Sequence, residues 1–259
     1  AEIEEYVQRW GVEAVDFYDL TSVVKRDWIL EFCSLLESRR LRITWQLPSG
    51  TRSEALDEPV LQAMYRAGCR NVSYAPESGS ERTLQAIQKK VKLDHIAASM
   101  RAAVRTGLNV KANILIGFPE EDSSDVRRTL RFIARMARAG VHDVSVWTFS
   151  PYPGSALFRQ LRAAGKLPRL DDDYYASLLS YSDISGAVSY ADALTSRRLQ
   201  RYRLAGLGLF YGLSYLIHPL RPLRSLYNIA TRQYESRMEM SFGNLVRRLT
   251  TTRAQAEVA

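Results

Sequence analysis

Five times along this chain a short apolar run passes through a polar, glycine- or proline-bearing turn, and four of the five turns lead directly into an amphipathic helix. Residues 14–18 lead through Asp19 and Thr21 to a helix over about 26–39 that gathers Trp28, Ile29, Phe32, Leu35 and Leu36 on one face. Residues 43–47 lead through Pro48, Ser49 and Gly50 to a helix over about 60–67 that Gly68 ends. Residues 71–75 lead through Pro76, Glu77, Ser78, Gly79 and Ser80 to a helix bearing Leu84 and Ile87. Residues 110–116 lead through Gly117, Phe118 and Pro119 to a helix from near Ser124 with Val126, Leu130, Ile133 and Met136, closed by Gly140. Residues 144–149 lead to Ser150, Pro151, Tyr152, Pro153 and Gly154. Continuous or period-2 apolar strands alternating with 3.6-period helices predict βαβ units and a parallel sheet. Five consecutive units predict an α/β barrel or partial barrel.

A barrel gathers the loops that follow its strands on one rim, so Asp19, Ser49, Glu77, Glu120 and Tyr152 are expected to converge although they are distant in sequence. The run VKANILIGFPEE from Val110 has the strongest signature of a ligand-facing strand end. Ile114, Leu115 and Ile116 read as a buried parallel strand, Gly117 allows a ligand to approach the backbone, and Pro119 stops the strand. The connections at the other rim, Arg70–Asn71 and Val141–His142–Asp143, are short. Gln46, Tyr74, Asn113 and Trp147 are the expected interior side chains.

Three runs carry a family resemblance: YAPESGSERTLQAIQKK from Tyr74, NILIGFPEEDSSDVRRTLRF from Asn113 and FSPYPGSALFRQLRAAGKL from Phe149. Together they resemble the core of radical S-adenosylmethionine (SAM) enzymes, and most of all the group whose members often carry a cobalamin-binding domain ahead of that core. The likeness covers roughly residues 1–167 and implies a partial (β/α)6 TIM-like barrel, here missing its first strand. It further implies a 4Fe–4S cluster that donates an electron to SAM, giving methionine and a 5′-deoxyadenosyl radical. By position, Asp19 falls where the family contacts the SAM amino group, and Glu77 and Ser78 fall where it contacts the ribose or carboxylate. Asn113, Leu115, Gly117 and Glu120 fall on the pattern G-x-I-x-G-x-x-E, with Leu115 against the adenine; Asn113 replaces the first glycine and Leu115 the isoleucine. Phe149 to Tyr152 would run beside the adenine and offer it backbone groups. A zwitterion with a sugar and a flat base needs this mixture of carboxylate, hydroxyl, free backbone and apolar wall.

The resemblance departs at the cysteines. The family holds its cluster with a C-x-x-x-C-x-x-C loop, thiolates being the ligands such clusters need, whereas this chain has only Cys33 and Cys69. Cys33 lies on an apolar helix face and Cys69 at the start of a strand, so no metal ligand is expected in the chain. The sequence opens AEIEEYVQRWG, inside an amphipathic helix, and reads as a core lacking its first strand and cluster loop, inactive by itself. Cobalamin, if used, would be bound by a domain ahead of Ala1. Two separated cysteines give no disulfide framework, and no secretory signal appears, which fits a cytoplasmic protein.

The formal charge of +8 is unevenly placed: between Arg197 and Arg253 eleven arginines face two glutamates, an excess of nine, so the rest of the chain sums to −1. The barrel is therefore no basic nucleic-acid surface. Residues 1–167 form the expected barrel and 168–259 a basic helical extension. Within that extension residues 204–217, LAGLGLFYGLSYLI, are apolar but shorter than the roughly 20 residues a membrane span needs. A further helix through Leu226, Ile229, Met238, Phe242, Leu245, Val246 and Leu249 is expected beyond them. The two helices either cap the barrel or, through residues 204–249, touch a membrane peripherally, which would suit a small, lipid-like substrate. Three functions fit: a SAM-dependent radical enzyme core, a non-catalytic barrel scaffold without a cluster, or a barrel enzyme for phosphate-bearing substrates. The last lacks a glycine-rich phosphate loop at the late strand ends.

Overall fold

The computed structural model describes residues 1–18, 23, 25–51, 56–178 and 187–256, with side chains described as far as residue 247. Its centre is an all-parallel sheet whose spatial order follows the chain: β1 (Ala14–Asp16), β2 (Thr44–Thr51), β3 (Cys69–Glu77), β4 (Asn109–Ile116) and β5 (Asp143–Thr148). The crossovers are α2 (Arg26–Ser38), α3 (Glu58–Arg66), the pair α4 (Glu81–Ala86) and α5 (Leu93–Thr106), and α6 (Ser123–Arg138). Helix α1 (Glu2–Trp10) precedes the sheet, while α7 (Ala156–Ala163), α8 (Asp172–Ser177), α9 (Ser196–Ile217), α10 (Arg221–Thr231) and α11 (Arg237–Ala256) follow it. The fold is thus the α/β partial barrel expected from the alternation of periods.

Side-chain parity divides each strand between two faces. Val110, Ala112, Ile114 and Ile116 of β4 are buried in one apolar core with Met100 and Ala103 of α5 and Val126 and Ile133 of α6. Lys111, Asn113 and Leu115 point to the other, concave face, where Asn113 stands beside Ser145 and Gln46 donates to Asp16 at 2.7 Å. Tyr74 does not belong to that interior. Its parity turns it to the helices, where it is fully buried and its hydroxyl lies 2.9 Å from the Ser99 hydroxyl.

Three boundaries differ from expectation. Pro48, Ser49 and Gly50 belong to β2 and not to a loop, because a register shift between Leu47 and Thr51 absorbs the proline and the left-handed Gly50. β3 runs on through Pro76 to Glu77 by a similar shift after Tyr74. The single helix expected across residues 226–249 is two, because Arg232 adopts a left-handed conformation that caps α10.

The long helix α9 covers β5 on the same face of the sheet as α6. Leu199, Gly206 and Phe210 turn inward, and a side chain at Gly206 would meet Ile133, Leu130 and Val146, so α9 lies against α6 and β5. Burying Leu199 and Phe210 contributes about 2 kcal/mol each. Arg203 is also buried, and its Nε donates to the Val146 carbonyl at 3.0 Å, supplying one donor along the outer edge of β5. The extension therefore shares the barrel's core. No helix among the described residues is long and apolar enough to cross a membrane.

Candidate functional site

The strand ends of β3, β4 and β5 enclose a cleft of about 600 Å3, within the range of small-molecule sites. Leu115, Phe118, Phe149, Ile87 and Leu157 form its apolar walls, and Glu77, Lys89, Thr148, Ser150 and Tyr152 supply polar groups. Phe149 is held by its backbone N–H donating to the Ile116 carbonyl at 2.8 Å and by its ring packing on Phe118, 5.1 Å between centroids. The register shift at the end of β3 aims Glu77 into the cleft with a φ of 64°. A non-glycine residue in that region is strained unless its surroundings hold it, and such residues gather at functional sites. One restraint is Lys89, whose ammonium lies 3.0 Å from the Glu77 carboxylate.

The turn after Glu77 is fastened to α6. Ser78 is fully buried, and its hydroxyl lies 3.1 Å from that of Thr129 while accepting the Ser80 N–H at 3.1 Å. Gly79 donates to Thr129 Oγ1 at 3.0 Å, and a Cβ there would lie 2.7 Å from the Thr129 Cα. Ser80 caps α4 and donates to Asp125 at 2.7 Å. Asp125 also takes Arg128 at 2.9 Å and Arg82. Its burial opposes ionisation, yet Arg82, the Ser80 hydroxyl and the Asp122 N–H hold its pKa down to about 2. The Ser-Gly-Ser turn is thus a packed joint that fixes where Glu77 points.

The second strand end is organised by Glu121. Gly117 has a φ of 88°, and a Cβ there would come within 2.7 Å of Leu199 Cδ2, so its lack of a side chain admits α9 and not only a ligand. Its N–H donates to Glu121 Oε2 at 2.6 Å, and Thr83 donates to Glu121 Oε1 at 3.3 Å. Burial pushes the Glu121 carboxyl up to about 7, against the pull of the Gly117 N–H and the Thr83 hydroxyl. Sequence reasoning singled out Glu120, which is exposed, and missed Glu121. The signal was the distance from Gly117: four residues let the carboxylate fold back onto the strand end. Lys89 was missed as well, because a Lys-Lys pair at a helix end reads as solvated surface.

Of the residues named from sequence, Glu77, Leu115, Phe149 and Tyr152 line the same cleft. Gly117 adjoins it, Ser78 lies behind it, Asn113 sits lower on the concave face, and Glu120 is outside. Asp19 lies outside the described residues. Tyr152 is half exposed and donates to the Leu178 carbonyl at 3.2 Å.

Neither cysteine approaches this rim. Cys33 and Cys69 are buried in the apolar core, and burial pushes both thiols up, that of Cys33 to about 12. Among the described residues no group of three His, Cys, Asp or Glu side chains could hold a metal ion.

Residues 1–133 match the family described as the radical SAM superfamily. An uncharacterized methyltransferase of Pyrococcus horikoshii is 27% identical over 152 residues, 58% of this chain and 31% of the relative. Cytidylyl-2-hydroxyethylphosphonate methyltransferase of Streptomyces wedmorensis is 27% identical over 129 residues, 47% of this chain and 24% of the relative. The match thus spans a third or less of either relative's length. Among solved structures, a cobalamin-dependent S-adenosylmethionine radical enzyme superposes with a TM-score of 0.47 at 14% identity, over 53% of this chain and 21% of that one.

Proposed function

The chain belongs to the radical SAM superfamily, and on that footing we propose that it is the SAM-binding core of a radical enzyme. The observation that carries this reading is the single cleft formed by Glu77, Leu115, Phe149 and Tyr152 from three strand ends. Leu115 and Phe149 provide a flat apolar slot for the adenine, and the backbone around Ser150 offers its edge hydrogen-bonding groups. Glu77 accepts from ribose hydroxyls, and Lys89 presents a cation to the methionyl carboxylate. The Ser78–Thr129 joint and the Gly117–Glu121 bond hold these groups in place before ligand arrives, which lowers the ordering entropy of binding.

The residues present do not suit a 4Fe–4S cluster: two thiols deep in an apolar core, shifted toward the neutral form, are not cluster ligands. Reductive cleavage of SAM would need thiolates from outside this chain. The two relatives named as methyltransferases support transfer of a methyl group as the reaction of the whole protein. The same buried cysteines also favour a second reading, a barrel that binds ligand without radical chemistry. A cysteine triad in the parent sequence ahead of Ala1 decides for the enzyme; its absence decides for the scaffold.

Calorimetric titration with SAM tests the site itself. The chain should bind SAM, and Leu115→Asp and Glu77→Gln should each weaken binding by roughly tenfold or more, the worth of about one charge-assisted contact. Unchanged affinity in both variants, with unaltered circular dichroism, would refute the assignment.

A further inference from the structure

Helix α10 is built inside out. With 3.6 residues per turn, Arg221, Ser225 and Asn228 share one face, and Leu220, Leu223, Leu226 and Tyr227 share the opposite one. The polar face is the one turned inward. The Arg221 guanidinium donates to the carbonyls of Gly140 at 2.5 Å and Val141 at 2.8 Å and to Ser214 Oγ at 2.5 Å. Ser225 donates to Glu239 Oε1 at 2.7 Å and Asn228 to Glu239 Oε2 at 3.2 Å, and Glu239 is itself buried. These bonds fix the rotation of the helix about its axis. Leu220, Leu223, Leu226 and Tyr227 are left 76%, 63%, 65% and 63% exposed, and Leu216 at the end of α9 is 79% exposed.

A helix free to roll would bury its leucines, so the polar anchors hold apolar area in water that the hydrophobic effect alone would remove. The surrounding charge identifies what covers it. No acidic residue lies between Asp192 and Glu235, while seven arginines do; of these Arg224 is exposed on one flank of the apolar stripe, where it also pairs with Glu235, and Arg232 is exposed at the C-cap of α10. A stripe of large apolar side chains in a segment with a strong excess of cations is the chemistry of an interfacial helix: leucines enter the acyl boundary, tyrosine sits at headgroup depth and arginines meet lipid phosphates. At 11 residues α10 can lie in such an interface and cannot span it. We propose that α10 seats the barrel on an anionic lipid surface. The assignment is independent of the chemistry of the cleft.

Cosedimentation with vesicles tests it. The chain should pellet with phosphatidylglycerol-containing vesicles and not with pure phosphatidylcholine, and binding should fall at least tenfold between about 0.1 and about 0.5 M salt. The double substitution Leu223→Glu, Leu226→Glu should keep the chain in the supernatant with an unchanged circular dichroism spectrum, because both side chains are already exposed. Arg224→Glu with Arg232→Glu should abolish the preference for anionic lipid. Recovery of the unaltered chain in the supernatant with both vesicle types would overturn the proposal, as would pelleting that survives the leucine substitutions. Sedimentation equilibrium showing a dimer that the leucine substitutions convert to monomer, without vesicle binding, would assign the stripe to a second copy instead.

Discussion

Replacing the buried acid at the β4 strand end, Glu121→Gln, should remove a specific pH dependence from the stability of this fold. Glu121 is 1% exposed, and its carboxyl rises from 4.5 in a free chain to about 7 in the folded one. The sign follows from proton counting. Between those values the folded protein keeps a proton that the unfolded chain has already released, so stability falls as pH rises through the window. The separation of about 2.5 units, at about 1.4 kcal/mol per unit, gives a loss of about 3 kcal/mol between pH 4.5 and pH 7. Glutamine retains the geometry, since its oxygen can accept the Gly117 N–H and its amide can donate to the Thr83 hydroxyl, but it does not titrate. Urea denaturation of both proteins at matched pH should therefore show near-equal stability at pH 4.5. A margin should open toward pH 8, with the variant more stable by up to about 3 kcal/mol. Other titrating groups act on both proteins and cancel in the difference. A stability difference that stays constant from pH 4.5 to pH 8 would refute the reasoning, because the buried charge would then not be what the structure sets against Glu121.

His142 should act in the opposite direction. Burial, with Arg221, Arg224 and His218 nearby, lowers it from 6.5 to about 4, so the stability it confers above pH 6.5 is lost as pH falls toward 4; His142→Asn, which can still accept the Val110 N–H, should reduce that acid-side loss by on the order of 2 kcal/mol after allowance for partial exposure, as read from urea midpoints. Gly79→Ala places a Cβ 2.5 Å from the Phe132 Cβ and 2.7 Å from the Thr129 backbone, and should destabilise the chain by roughly 2–4 kcal/mol in thermal unfolding while weakening SAM binding through displacement of Glu77. Anaerobic reconstitution of the 259-residue chain with iron and sulfide should leave no absorbance near about 400 nm, and a stoichiometric paramagnetic cluster would overturn the assignment of Cys33 and Cys69 to the core.

The strands were legible because burial on one or both faces of a parallel sheet imposes period 2 or a continuous apolar run, and here the runs are short and bounded by glycine- and proline-bearing turns, which sets them apart from buried helix. What periodicity could not supply was parity. Tyr74 looked like an interior side chain, but after the irregularity at the start of β3 Val72 and Tyr74 fall on the helix side and Asn71 and Ser73 on the concave one. The site was legible in part for a similar reason. Leu115 and Phe149 follow from strand position alone, whereas Glu77 reaches the cleft only through an irregularity of β3, and the choice between Glu120 and Glu121 depends on how Pro119 folds the chain back on Gly117. Ser78 was read as a ligand contact, while the structure engages its hydroxyl with Thr129, 51 residues away. A partner so distant leaves no local trace.

The C-terminal helices carry the same lesson further. Periodicity shows which residues of α10 share a face, and by the usual rule the face with Leu220, Leu223 and Leu226 should be the buried one. The rule fails because Arg221 donates to the Gly140 and Val141 carbonyls just past the end of α6, and leaving buried acceptors unpaired costs about 1–3 kcal/mol each. Three charge-assisted bonds from one guanidinium, with Ser225 and Asn228 converging on the buried Glu239, outweigh the burial of three leucines on a surface helix that would still leave them half wet. Orientation is therefore decided by which acceptors the folded protein presents to the polar side chains of the helix, not by the composition of the helix. The consequence reaches function, since a helix turned this way loses nothing by meeting an apolar phase and gains the burial its anchors deny it in water.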